Sequence, residues 1–323
     1  MPVSATELEA FGRSFDAITA NIERVIQGKR DSVARLTMCL LSGGHALIED
    51  VPGVGKTLLA KSLARSIDCS FQRIQFTPDL LPSDVTGVSV WDRDSSEFRF
   101  RPGPVFANVV LGDEINRASP KTQDALLEAM EEHQVTVDTQ THKLAEPFIV
   151  VATQNPIEHE GTYPLPEAQL DRFMMRISMG YPSRDKELEM LSTHADRSTF
   201  EDIGPVVDAQ DVVQMSNVVL RVHVSDEVRS YIVDLVEATR RHHEFLLGAS
   251  PRAGLNLQRA ARAKAAVAQR DFVMPDDVKF ITPSVLNHRL ILQPEALMRG
   301  LAVGEVVESI LEATPVPGMR TVV

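Results

Sequence analysis

The chain has 323 residues, 43% apolar and 24% charged, an ordinary globular composition with room for more than one domain. Its formal net charge of −12 argues against gripping a nucleic-acid backbone, which takes clustered Lys and Arg, although a basic pore inside an acidic ring remains compatible with it. There is no long uninterrupted apolar run, Glu7 and Glu9 stand where a signal peptide would be basic, and Cys39 and Cys69 read as small buried apolar residues of a reducing compartment, so a cytoplasmic location is expected.

From Ala5 to Gln27 the positions Leu8, Phe11, Phe15, Ile18, Ile22 and Val25 recur at helical spacing and predict a packing helix. A second helix, Asp31 to Leu41, leads to an apolar strand, Ala46-Leu47-Ile48. Glu49-Asp50-Val51-Pro52-Gly53-Val54-Gly55-Lys56-Thr57 follows directly and reads as a phosphate-binding loop. Glycines let backbone N–H groups ring an anion, Lys56 can reach the β- and γ-phosphates, and the Thr57 hydroxyl can meet Mg²⁺. A helix expected from Lys56 through Ala64 aims its positive end at the same anion. The loop contacts to nucleotide are expected from Gly53, Val54, Gly55, Lys56, Thr57 and Leu58. One position departs from G-x-x-x-x-G-K-[ST]: Asp50 stands where the first glycine belongs.

Next, Val88-Ser89-Val90-Trp91 and Phe98-Arg99-Phe100 alternate around a polar Asp92 to Glu97 turn, within a predicted hairpin over 87–106. Asn108-Val109-Val110-Leu111-Gly112-Asp113-Glu114 is an apolar strand ending in two carboxylates. At the carboxyl end of a buried parallel strand these face the ligand crevice. Asp113 is then placed to hold Mg²⁺ through water, and Glu114 to act as general base on the attacking water. A second hairpin is expected over 134–144. The strand Phe148 to Thr153 ends in Gln154-Asn155-Pro156, where Asn155 can hydrogen-bond the attacking water or the γ-phosphate. Arg172, in Glu167-Ala168-Gln169-Leu170-Asp171-Arg172-Phe173, offers a rigid fork of donors for a transferring phosphoryl group, or else a surface salt bridge to Asp171 or Glu167.

Near Tyr181-Pro182-Ser183 the alternation of strand and helix stops. Helices are expected over Asp185 to His194, Ser225 to His243 and Pro251 to Arg270, with shorter ones beyond. The predicted organisation is an α/β core with a parallel doubly wound sheet over 1–182, a hinge over 183–205 and an all-α lid over 206–323. Ser250 suits an N-cap and Pro251 the first helical position, which puts Arg252 in a first turn. A cation is unfavourable there, and a ligand-facing role follows. His242 and His243 are expected on different helix faces, and no H-E-x-x-H or paired C-x-x-C occurs, so Mg²⁺ held with nucleotide is the one metal expected.

Together these segments resemble the MoxR family of AAA+ ATPases. The resemblance rests on Leu47 to Thr57, Asp113-Glu114-Ile115-Asn116-Arg117-Ala118, Lys121 to Glu132, Ala152 to Pro156, Glu160 to Phe173 and Ser250-Pro251-Arg252-Ala253. It covers about Val25 to Asp277, and within this family an aspartate at position 50 is usual. The resemblance implies sensor roles for Asn155 and Arg252 and an arginine finger in Arg172, with Arg117 as the alternative. It implies an adenine pocket along Val25-Ile26-Gln27-Gly28, and hairpins that face a ring pore or a partner. It further implies ATP hydrolysis with Mg²⁺ between subunits of a hexamer. One chain is expected to supply Lys56, Thr57, Asp113, Glu114, Asn155 and Arg252, and its neighbour Arg172. Lid motion against the core would couple nucleotide state to ring shape. The implied output is chaperone-like remodelling of client complexes, with a von Willebrand factor A domain partner. A nucleic-acid motor and a nucleotide-gated scaffold with little turnover are the alternatives. A GTPase is disfavoured because no N-K-x-D guanine motif is present.

Overall fold

The structure, a computed structural model, describes residues 2–155, 162–182, 184–185, 187–188 and 199–317. Ser4 opens the first helix with a reciprocal cap: its hydroxyl accepts from the Glu7 N–H at 3.3 Å, and Glu7 accepts from the Ser4 N–H at 2.9 Å. Helix α1 (Ala5–Glu23) buries Leu8, Phe11, Phe15, Ile18 and Ile22 on one face. It stops at Glu23, short of Gln27, and a turn closed by Gly28 at φ +71° brings Val25 and Ile26 inward. Helix α2 (Arg30–Leu41) then leads to the sheet.

Five strands form that sheet, all parallel: β1 (Ala46–Glu49), β2 (Phe71–Gln75), β5 (Val109–Asp113), β8 (Ile149–Gln154) and β9 (Met175–Ile177), in the order β2-β5-β8-β1-β9. Side chains alternate between two apolar layers, as strand geometry demands. Ala46, Ile48, Val109, Leu111, Ile149 and Val151 share a core with α1, α2 and α3 (Lys56–Ser66). Leu47, Val110, Val150 and Ala152 share the other with α5 (Pro120–Glu132). Neither β2 nor β9 was expected. β2 is an edge strand of mixed polarity, Phe-Gln-Arg-Ile-Gln, and β9 has three residues, so neither carries a long apolar run. In register, Glu49 pairs with Gln154 and Gly112 with Ala152. The segments leaving β1, β5 and β8 therefore emerge side by side at one edge of the sheet.

Two hairpins project from this core, joined to it by α4 (Pro82–Thr86) and by α5: β3 (Gly87–Asp92) with β4 (Glu97–Pro102), and β6 (Gln134–Val137) with β7 (Gln140–Lys143). Phe100 of the first stacks on His142 of the second at 4.0 Å between ring centres.

The short helix α6 (Glu167–Leu170) precedes β9. The helix expected over 185–194 falls largely outside the described residues. Beyond it come α7 (Ala209–Arg221), α8 (Asp226–Arg241), α9 (Pro251–Val267), α10 (Pro275–Leu286), α11 (Pro294–Met298) and α12 (Val303–Ala313), with a small antiparallel pair, β10 (Phe245–Leu247) and β11 (Ile291–Leu292). Helix α7 was not expected. His242 and His243 lie past the end of α8, so they do not occupy opposite helix faces; their rings stack at 4.9 Å. Helices α7 and α9 pack on α1 and α2, and one apolar core runs without interruption from the sheet into the C-terminal helices. Asn21 on α1 joins the two halves further, donating to Ser66 Oγ at 3.0 Å and to the Gly204 carbonyl at 2.9 Å.

His45 closes the amino-terminal end of β1. Its Nδ1 accepts from the Val150 N–H at 2.9 Å, which leaves the proton on Nε2, 3.0 Å from the Met130 carbonyl. Burial pulls its pKa down to about 4 against the opposing Met130 hydrogen bond, and nearby His133 adds to the depression. Between that value and the ordinary 6.5 the folded chain holds fewer protons than the unfolded one. The stability due to His45 is therefore fully present above this window and is lost as the pH falls through it. His45→Gln, which has no proton to gain, is expected to flatten the loss of melting temperature across this window; an unchanged slope would reject the assignment.

Candidate active site

The loop between β1 and α3 contains Gly53 at φ +82° and Gly55 at φ +93°, a left-handed region where a Cβ is strained. Gly55 is also the N-cap of α3, and no side chain caps that helix, so its first N–H groups remain available to an anion. The Lys56 ammonium donates to the Asp50 carbonyl at 2.6 Å, which folds it back over the loop. Val25, Ile26, Gly53, Val54, Gly55 and Leu58 line a single cavity of about 610 Å³, and Tyr181 and Pro182 stand at its wall. Apolar side chains on one side and a backbone cradle on the other suit a base joined to phosphates. Thr57 lies in the first turn of α3, directly after the loop.

Asp50 explains its own departure from the loop pattern. Its Oδ2 accepts from the N–H groups of Met179 and Gly180, both at 2.6 Å, and from the Ser178 hydroxyl at 3.1 Å. Its Oδ1 accepts from the Val51 N–H at 2.9 Å. Burial alone would raise the carboxyl; these donors outweigh it and hold Asp50 below the usual carboxylate range. A glycine here would leave the loop untied. Aspartate fastens it to the segment that leaves β9.

Asp113 ends β5 and is buried. Its Oδ1 accepts from the Thr153 hydroxyl at 2.6 Å, and its Oδ2 from Arg73 Nε at 3.0 Å and Nη2 at 2.5 Å. Thr153 also accepts from the Glu114 N–H at 2.9 Å, so one hydroxyl on β8 holds the Asp113 carboxylate and the Glu114 backbone. Glu114 sits in the left-handed region (φ +57°, ψ +50°), a conformation that costs a glutamate on the order of 1 kcal/mol. That turn takes it out of the strand, and its Oε2 accepts from Gln75 Nε2 at 2.8 Å and Arg117 Nη1 at 3.0 Å. Arg73 also donates to Gln75 Oε1. Arg73, Gln75 and Thr153 escape a sequence reading. Arg73 and Gln75 sit on the polar edge strand β2, where the signal available was three apolar residues, Phe71, Ile74 and Phe76, within six. Arg117 stands beside Glu114 on the nucleotide side.

Among the described residues no group of three or more His, Cys, Asp or Glu could hold a metal by itself. Thr57 and Asp113 offer hard oxygens of the kind Mg²⁺ takes alongside phosphates and water. Asp113 Oδ2 carries two hydrogen bonds, both from Arg73, whereas Oδ1 carries one and keeps a further lone pair, which fits contact through water. Asn155 is buried directly after β8, next to Gln154, whose carbonyl accepts from the Asp50 N–H at 3.4 Å. It shares the edge of the sheet with the loop and the two carboxylates.

Arg172 and Arg252 lie elsewhere. Arg172 Nε is 3.1 Å from Glu131 Oε2, and Arg252 donates to Glu131 Oε1. Both line a cavity of about 270 Å³ with Gly43, Gly44 and His45, at the amino-terminal end of β1. The phosphate loop leaves the other end of that strand, which at four residues is about 13 Å long. Within one chain Arg252 therefore stands at the opposite end of β1 from the phosphate loop, and the structure does not bring it together with Lys56, Thr57, Asp113 and Glu114 as expected. Helix α9 packs along α1 and α2, which directs its first turn to the opposite edge of the sheet. Ser250 does not cap that helix with its side chain; its hydroxyl donates to Asp171 Oδ2 at 2.9 Å.

Residues 45–175 match the family described as ATPase family associated with various cellular activities (AAA), and residues 237–310 match the AAA lid domain. The chain is 51% identical over 303 residues to the uncharacterized protein YeaC of Bacillus subtilis (strain 168), covering 94% of this chain and 95% of that one. It is 40% identical over 330 residues to Chaperone MoxR1 of Mycobacterium tuberculosis (strain ATCC 25618 / H37Rv), covering 99% and 87%. A crystal structure of an inferred ATPase from Cytophaga hutchinsonii ATCC 33406 superposes with a TM-score of 0.90 at 40% identity, over 96% of this chain and 97% of that one.

Proposed function

The chain belongs to the MoxR family of AAA+ ATPases, ATP-hydrolysing P-loop enzymes, and from that premise we propose that its ATP is cut at the boundary between two copies of the chain. One observation carries the reading: Arg172 and Arg252 stand together at the amino-terminal edge of the sheet, away from the phosphate loop of their own chain. Their place at the far edge suits a second copy better than the first.

In this reading the backbone around Gly53 and Gly55 wraps the phosphates and Lys56 neutralises their charge. Thr57 and Asp113 would hold Mg²⁺, which would draw charge off the phosphate oxygens. Glu114 takes the proton of the attacking water, and Asn155 helps hold that water. Arg172 of the adjoining copy, with Arg252 beside it, meets the negative charge that builds on the transferring group. Such a contact is head-to-tail, and it closes into a ring, for which we take the hexamer. The output is remodelling of client protein complexes, in keeping with the chaperone name of the mycobacterial relative, and a von Willebrand factor A domain protein is the expected partner. A net charge of −12 weighs against a nucleic-acid motor.

The test is to mix two inactive variants. Lys56→Ala keeps Arg172 but cannot grip phosphate; Arg172→Ala grips phosphate but has no arginine to give. Mixed at equal amounts, about one boundary in four pairs an intact pocket with an intact arginine, and turnover should return. No recovery in assemblies shown to contain both chains would reject the shared site.

A further inference from the structure

Arg289 follows α10 close to its C-terminal end, and its side chain is only 2% exposed. It makes a fork around the backbone that carries Arg172. Nε donates to Asp171 Oδ1 at 2.7 Å. Nη2 donates to the carbonyls of Asp171 at 3.1 Å and Phe173 at 2.5 Å, and Nη1 to those of Met174 at 3.2 Å and Val285. The residues on both sides of Arg172 are thus pinned by one guanidinium. His288 adds a contact to the same stretch, its Nε2 lying 3.0 Å from the Phe173 carbonyl.

Asp171 extends the arrangement. Its second oxygen accepts from the Ser250 hydroxyl, two residues before Arg252. Ser250 gives up capping its own helix to make this bond. A buried arginine is a poor device for stability alone, because desolvation offsets most of what its ion pair gains and an apolar side chain would fill the space as well. What a buried fork does supply is fixed geometry. From this we infer that Arg289 is a positioning residue: through Asp171 it holds Arg172 and Arg252 as one rigid pair, so that the C-terminal lid sets the aim of the arginines a neighbouring site receives. The inference rests on the reading that Arg172 is donated across the boundary.

The experiment compares steady-state ATP turnover of the full-length chain with Arg289→Lys, Arg172→Ala and the double variant, alongside their melting curves. Lysine keeps the charge but loses the fork. Arg289→Lys should lower kcat about 100-fold, as a displacement of roughly 1 Å does at a reacting centre, with KM for ATP changed by less than about twofold. In the Arg172→Ala background it should lower kcat no further. If Arg172→Ala is impaired while Arg289→Lys is not, or if the losses multiply in the double variant, this inference falls and the shared site stands. Full turnover in Arg172→Ala overturns both. Should Arg289→Lys fail to fold, Ser250→Ala carries the same comparison: it cuts the link from Asp171 to α9, should lower kcat, and should lose that effect when Arg172 is absent. A loss that persists without Arg172 overturns the inference.

Discussion

Arg172→Ala is expected to slow ATP turnover by about 1,000-fold or more while leaving nucleotide affinity near that of the unaltered chain. The separation follows from the geometry. Every residue lining the candidate base-and-phosphate cavity lies on the loop after β1, the turn after α1, the start of α3 or the exit from β9. None touches Arg172, whose contact is Glu131 on α5. An arginine supplied in the transition state alone affects kcat and kcat/KM together. Steady-state kinetics with a separate measurement of nucleotide Kd would check this. If affinity falls and kcat holds, Arg172 grips its own chain's nucleotide and the boundary site is wrong. The same variant at Arg117 separates the two arginines: Arg117 is tied to Glu114 at 3.0 Å on the nucleotide side, so its loss should disturb the base rather than a neighbour.

Glu114→Gln should lower turnover by about 100- to 10,000-fold, the range a general base contributes, and leave ATP bound. Glutamine keeps the size of the side chain and its hydrogen bond from Gln75, and the backbone N–H still reaches Thr153. What is removed is the negative charge: the capacity to take a proton, and the charge of the ion pair with Arg117. Single-turnover assays with labelled ATP would read the loss, and retention of nucleotide after gel filtration would show that the pocket survives. Residual turnover within about tenfold of normal would move the base elsewhere. The variant also decides between an engine and a switch, because client maturation that survives it needs nucleotide binding but not hydrolysis.

Much of this site could be read from residue order because its parts are local. A phosphate loop draws all its parts from one short stretch, and Gly53, Gly55, Lys56 and Thr57 announce themselves. Strands β5 and β8 are buried on both faces, so they read as unbroken apolar runs that end in Asp113 and Asn155. Strand β2 left no such mark, since an edge strand need not be apolar throughout, and with it went Arg73 and Gln75. The place of Arg252 could not be read either. Local helix rules put it correctly in a first turn, but which end of the sheet that turn meets depends on how α9 packs against α1 and α2, residues more than two hundred positions earlier. Asp171 and Arg289 illustrate the same limit, for their pairing spans 118 positions.

The unbroken core beneath α7 and α9 restricts how this protein can work. A flap free to swing away would have to bare Phe11, Phe15, Val219 and Leu257 to water, at roughly 1.5–3 kcal/mol for each large apolar side chain. Small sliding displacements along α1 and α2 keep that surface covered and are the less costly route. In the proposed assembly, wide excursions would then be left to the seams between copies, where torque generated by one chain would be felt as a shift in its neighbour's posture.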